Sequence, residues 1–339
     1  MDPLEIAPPV ATDTPATRRV RLSFAGLIEA TAFAALVATF LGRLGQLDWR
    51  FELAAHFPAQ YAVCLAIGSA VALARRRWRS AAILLIGVGV NLLVLWQHGA
   101  VRQVPDGAAG AGLRILSLNV LSSNRHYDAA LRVIREEHPD LIVVMELTGA
   151  WARGLEPLTG DYPHRVIVAR EDNFGIACYS RRPLLRQEVI TVGPAGLPSI
   201  EVEVELDGRR VDVIATHPLP PVSGRRAAAR DGQLLALGAR LRAREHPALI
   251  VGDLNTTPWA PGFQRLLAES GLRDTLAGRG WQPTWPAPLG RAGIPIDHCL
   301  VTAGWTVSER RPCRSICGDH HPLLIELHLA ADPGAGPAS

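Results

Sequence analysis

Hydrophobic positions follow two regimes along this chain. In the first hundred residues they gather into three almost unbroken stretches, at about residues 22–41, 57–74 and 81–96. Each comes close to the roughly 20 residues that cross a bilayer as a helix. From residue 113 the runs shorten to strand length. "LRILSLNV", "LIVVMEL" and "ALIVGDLN" are continuous apolar runs, the mark of strands buried on both faces. "IEVEVEL" alternates, as a strand with one wet face does. "HRVIVAR", "FGIACYSRR", "RQEVITV", "RRVDVIATH", "IDHCLVT", "WTVSERR" and "HPLLIELHL" add further strands. "YDAALRVIREEHPD", "RAAARDGQLLALGARLRAREH" and "GFQRLLAESG" space their apolar residues as helices; Pro139 closes the first and Gly271 the last. Many strands with few helices predict an α/β class, a two-sheet α/β sandwich flanked by helices, preceded by three transmembrane helices. The expected layout is a cytoplasmic N-terminal segment (1–21), three transmembrane helices (22–97), a Gly- and Ala-rich linker (98–112), a globular domain (113–330) and a disordered tail (331–339).

Arginine sets the orientation. The chain has no lysine, and Arg18, Arg19 and Arg21 precede the first apolar stretch, while Arg75, Arg76, Arg77 and Arg79 separate the second from the third. The positive-inside rule puts both groups in the cytoplasm. Three crossings then place everything after Gln97 on the far side. The abundance of Ala, Arg, Gly and Pro suggests a GC-rich bacterial genome, so the protein is expected in the bacterial cytoplasmic membrane as a multi-pass protein, with its globular domain extracytoplasmic. Hydrophobic residues make up 48 % of the chain, and three apolar stretches in a row argue against a soluble protein and against a cleaved leader. One acid, Glu29, lies inside the first stretch, where it needs a partner. Residues 101–339 balance 26 arginines with 26 acids, which argues against the basic excess of a nucleic-acid binder. Cys313 and Cys317 are near enough in sequence to pair in an oxidising compartment, or to remain thiols; the sequence leaves both open.

The globular half repeats one event: an apolar strand stops at a polar side chain. The stops are Asn119, Glu146, His217, and Asp253 with Asn255; Asp297 opens a strand, and Asp319 and His320 precede the last one. Singly, each is an ordinary turn or cap residue. Together they form a set of hard ligands and acid–base groups that would meet at one mouth of a sandwich. Strand alternation would also give Asp253 and Asn255 the same face.

The order "LSLN", "PDLIVVME", "ATH", "VGDLN", "PIDH", "GDHHPL" resembles the endonuclease/exonuclease/phosphatase superfamily, which includes deoxyribonuclease I, the abasic-site endonucleases, sphingomyelinases and inositol phosphatases. The likeness spans roughly residues 112–329, and "THPLPP" looks like the membrane-anchored bacterial branch. It implies a deoxyribonuclease I-like catalytic domain over 113–330. Asn119, Glu146 and Asp319 would hold or support Mg²⁺, with Mn²⁺ an alternative. Asp253 would activate water, Asn255 and His217 would donate to phosphoryl oxygens, and His320 would contact the phosphate with Asp297 fixing its tautomer. Met145 stands where the family often has Gln, and Asn173 where some of its nucleases have a phosphate-contacting Tyr. His298 and His321 adjoin the set and are expected to face away from it. Arg225, Arg226 and Arg230, opening a helix after "THPLPPVSG", are candidates for a second phosphate. The expected function is a membrane-anchored phosphohydrolase cleaving phosphate ester or pyrophosphate bonds, with a lipid-linked substrate favoured and an extracytoplasmic nuclease as the alternative. The expected partners are the bilayer and that substrate.

Overall fold

The computed structural model describes residues 23–100, 104–108, 110 and 112–330. The expected N-terminal segment and C-terminal tail lie outside the described residues. Four helices come first: α1 (Phe24–Arg43), α2 (Trp49–Ala55), α3 (Pro58–Ala74) and α4 (Trp78–Ala100). Ser23 caps α1 by accepting from Gly26 N–H, and Pro58 opens α3, the position where its missing N–H costs nothing. α3 lies against α1 closely enough that a Cβ on Gly68 would sit 2.2 Å from Ala32 Cβ, the small-residue contact of membrane helices. Glu29 has its partners: Arg75 at 3.1 Å and Arg77 at 2.5 Å.

Of the three expected spans, two are single long helices and the third is a bent pair. α1 and α4 are long and apolar enough to cross a membrane; α3 has 17 residues and qualifies only with α2, from which it bends by 67°. α2 was not expected, because "WRFELAA" mixes charge with apolar residues and reads as a loop. The linker also differs. α4 continues to Ala100, Val104 is buried, and Asp106 bridges to Val307 and pairs with Arg279. These described residues of the connection are pinned to the domain.

The remaining chain forms two six-stranded sheets. Its elements are β1 (Gly112–Asn119), α5 (Tyr127–Glu137), β2 (Leu141–Met145), α6 (Gly149–Gly154), β3 (His164–Val168), β4 (Ile176–Ser180), β5 (Leu184–Thr191), β6 (Pro198–Leu206), β7 (Arg209–Thr216), α7 (Gly224–Arg242), β8 (Ala248–Asp253), α8 (Pro261–Ser270), β9 (Arg273–Asp274), β10 (Asp297–Val301), β11 (Trp305–Pro312) and β12 (Leu323–Leu329). The orders are β11-β12-β1-β2-β4-β3 and β5-β6-β7-β8-β10-β9. Ile115, Val143 and Met145 of one sheet meet Val202, Val213 and Val251 of the other in the central core. α5 and α6 cover the first sheet's outer face, α7 and α8 the second's.

Register gathers the polar strand ends. β1 and β2 are parallel with Asn119 opposite Met145, so Glu146 follows at the same edge. β7 and β8 are parallel, which brings His217 and Asp253 to one edge. Antiparallel β10 sets Asp297 opposite Asp253. Antiparallel β12 sets Leu323 opposite Ser117, so His320 falls beside Asn119. All five cysteines are free thiols, Cys313 buried and Cys317 exposed.

Candidate active site

Asp253 is the hub. Its Oδ2 accepts from Asn119 Nδ2 at 3.1 Å and lies 3.5 Å from His217 Nε2 and 3.6 Å from His320 Nε2. Its Oδ1 accepts from Asn255 N–H at 2.9 Å, and its own N–H donates to Met145 Sδ. That packing depends on Gly252, where a Cβ would lie 2.0 Å from Thr216 O. His320 Nδ1 is 2.9 Å from Asp297 Oδ2, and the Thr284 hydroxyl accepts Asp297 N–H. Asn119 Nδ2 also donates to Glu146 Oε1, while Glu146 Oε2 accepts from Ser122 N–H. Glu146 and Asn255 take positive φ, 58° and 51°, unusual for side-chain-bearing residues and frequent at functional sites.

Burial and charge set the protonation states. Burial raises the Asp253 carboxyl above the ordinary range, against the pull of His320. Burial opposes ionisation of Asp297 as well, but the adjoining His320 holds it below that range. For His320, burial works against the proton, yet the Asp297 and Asp253 carboxylates outweigh it and push the imidazole up to about 10. His320 is therefore an imidazolium at neutral pH, pointing Nε2–H at the cavity floor.

That cavity measures about 670 Å³ and is lined by Glu146, Asn173, His217, Asp253, Asn255, Asp319 and His320 among others. Residues 116–320 match the model of the endonuclease/exonuclease/phosphatase family. The chain belongs to this family. It is a phosphoric ester hydrolase by that membership. No curated protein matches it. Among solved structures it is similar to an endonuclease/exonuclease/phosphatase from Beutenbergia cavernae (24 % identity, TM-score 0.55, 66 % of this chain and 73 % of that one). It is also similar to the human Nocturnin catalytic domain with bound sulfate (17 %, 0.54, 65 % and 95 %). A third is D. rerio TDP2 complexed with single-strand DNA product (15 %, 0.53, 64 % and 98 %). These likenesses establish the deoxyribonuclease I-like fold.

Enzymes of this family generally use divalent metal ions, and the residues present fit one. Glu146, Asp253 and Asp319 offer carboxylate oxygens to one cavity, and Asp319 Oδ1 is buried without a hydrogen-bond partner among the described residues. Hard oxygen donors of this kind suit a hard cation. A second grouping, Asp253, Asp297 and His320, has ligand atoms within 4.8 Å of one another, but Asp297 and His320 are engaged with each other. Asn119 differs from expectation in orientation. Its Oδ1 accepts Leu121 N–H and its Nδ2 faces the carboxylates, so as placed it clamps Glu146 and Asp253; turning the carboxamide over exchanges the two roles.

Other expected residues divide. Asn255 lines the cavity although β8 stops at Asp253 and strand alternation does not reach it; its Nδ2 donates to Pro218 O and so also braces the "THPLPP" loop. Asn173 lines the cavity, held by Ser122 Oγ at 2.5 Å. Arg226 lines it too, whereas Arg225 is exposed outside the lining. Arg230 is a correction: it is fully buried and bonded to Glu52, Asp231 and Asn255 O, so it faces no substrate. His298 and His321 spend ring nitrogens on Thr256 O and Cys313 O. Sequence reasoning missed Leu53, His56, Phe57, Phe174 and Trp285 in the lining. Trp285, in "PTWP" shortly before Asp297, and Phe174, next to Asn173, sit near recognisable motifs.

Proposed function

We propose that this protein is a membrane-anchored, Mg²⁺-dependent phosphohydrolase that acts outside the cytoplasm on a phosphate ester or pyrophosphate carried by a lipid. The observation that carries the reading is the position of the cavity. Its carboxylates and histidines open beside the end of the helix bundle, and residues of the α2–α3 bend form part of its rim. Asp253, with its raised proton affinity, is suited to take a proton from the attacking water. His320 and His217 are placed to donate to phosphoryl oxygens as charge develops there. Asp297 keeps His320 charged and oriented. A bound Mg²⁺ (or Mn²⁺) would be held by Glu146 with Asn119 and Asp319, and would supply charge neutralisation at the phosphate.

The test is phosphate release by the full-length protein in detergent, with Mg²⁺ and then EDTA. Lipid phosphates and pyrophosphates are set against plasmid DNA. Mg²⁺-dependent release from a lipid substrate is expected, and Asp253→Ala should lower it by about 10²–10⁴-fold. Nicking of DNA with no release from any lipid would replace this reading with the nuclease one.

A further inference from the structure

The catalytic cavity has a floor and a wall of opposite chemistry. The floor is the polar set around Asp253. The wall is apolar, and part of it comes from the membrane-proximal half of the chain: Leu53 in α2 and Phe57 in the bend before α3. Phe174, Pro221, Val222 and Ile294 of the catalytic domain complete it. Leu53 and Val222 stay exposed, at 37 % and 60 %, so the wall is not satisfied by its own packing.

The bend is fixed in place. Arg230 Nη2 grips Glu52 Oε1 at 2.6 Å, His56 Nδ1 meets Thr257 Oγ1 at 2.9 Å, and Gln60 Nε2 donates to Ala292 O and Gly293 O at 2.8 and 3.0 Å. Three polar clasps on three consecutive turns make this segment a built part of the cavity. Thr257 lies four residues after Asp253, so the His56 clasp joins the bend directly to the turn that follows the catalytic strand. Arg226, also in the lining, is exposed and makes no ion pair among the described residues. A ligand that satisfies all of this has a phosphate at the floor and near Arg226, and a hydrocarbon chain along the wall.

We infer that Leu53 and Phe57 are substrate-selecting residues: the α2–α3 bend binds the apolar chain of the phosphate-bearing substrate, so hydrolysis depends on chain length. The inference rests on the phosphohydrolase reading above and deepens it. An apolar side chain contributes on the order of ten- to hundredfold in equilibrium when it is fully buried against a ligand chain.

The experiment uses the full-length protein in detergent micelles with phosphomonoester, phosphodiester and pyrophosphate probes, each carrying a five-carbon or a fifteen-carbon chain. The ratio of kcat/KM for long over short chains is measured for the wild type, Leu53→Ala, Phe57→Ala and, as a control outside the cavity, Leu289→Ala. The expected result is a ratio above ten for at least one head group, lowered about fivefold or more by Leu53→Ala and Phe57→Ala and unchanged by Leu289→Ala. Thermal melts of Leu53→Ala and Phe57→Ala, expected to match the wild type, separate lost chain binding from lost folding. Hydrolysis with equal rates for both chains, or a ratio indifferent to the two variants, overturns the inference and leaves the phosphohydrolase reading standing. Absence of turnover on all six probes overturns both.

Discussion

At the scale of single residues, the site is organised by a charge imbalance. Asp253 and Asp297 sit opposite each other in register, both buried, with His320 between them. The carboxylates outweigh the cost of burying the imidazolium and keep it protonated. This has a consequence for stability in the metal-free protein. His320 titrates near 6.5 in an unfolded chain and at about 10 in the fold. The folded state therefore binds this proton more tightly. The stabilisation is complete below pH about 6.5 and is lost as pH rises through about 10. Thermal melts in EDTA should show the wild-type Tm falling between pH 7 and 10, and Asp297→Asn, already less stable at pH 7, should lose much less over the same interval. Parallel slopes for the two proteins would remove the ion pair from this account.

Structural elements show what was legible in the sequence and what was not. The strands β2 and β8 were legible, because strands covered on both faces read as near-continuous apolar runs and change character where they leave the sheet. "LIVVME" and "LIVGD" therefore announce both a strand and its functional end. The convergence of Asp297 and His320 was legible only through the family's motif order, since antiparallel register is not written in either segment. α2 was illegible for a different reason: its polar residues face another part of the molecule. Glu52 is 178 positions from its partner Arg230, and no local pattern encodes that pairing. The same distance explains why Arg230 looked like a phosphate ligand, as an arginine in the first two turns of a helix beside a catalytic loop. Buried and paired, it predicts a test of its own. Arg230→Met should strand Glu52 without its partner and destabilise the protein by about 3–5 kcal/mol. The double replacement Glu52→Leu with Arg230→Met should recover most of that loss. Detergent-solubilised melts of the two singles and the double measure the coupling, and additive effects would mean that α2 is not held by this pair.

Over the whole molecule, the helices and the sandwich share one axis. Glu29 near the start of α1 meets Arg75 and Arg77 just past the end of α3, so these termini lie at one end of the bundle. The opposite end touches the sandwich: Gln60 in the first turn of α3 bonds to Ala292 and Gly293, and His98 near the end of α4 lies 3.6 Å from Asp274. Each of α1, α3 and α4 thus runs between the arginine end and the catalytic end. At about 1.5 Å per residue, the 17 residues of α3 cover about 26 Å, a little short of the roughly 30 Å hydrocarbon layer. Local thinning and the reach of Arg75, Arg76, Arg77 and Arg79 can make up a deficit of that size. If α1 and α4 cross, α3 must return the chain between them, and the number of crossings is odd. On the orientation proposed above, from the positive-inside rule, the arginine end stays in the cytoplasm and the catalytic cavity opens outside. A periplasmic-active reporter fused after Ser339 should therefore be active, and the same reporter inserted at Arg77 should be silent. Activity at Arg77 with silence after Ser339 would invert the catalytic end in the membrane; silence at both would mean that α4, the one helix between the two reporters, does not cross. Either result would move the substrate pool to the cytoplasmic leaflet while leaving the chemistry of Asp253 and His320 untouched.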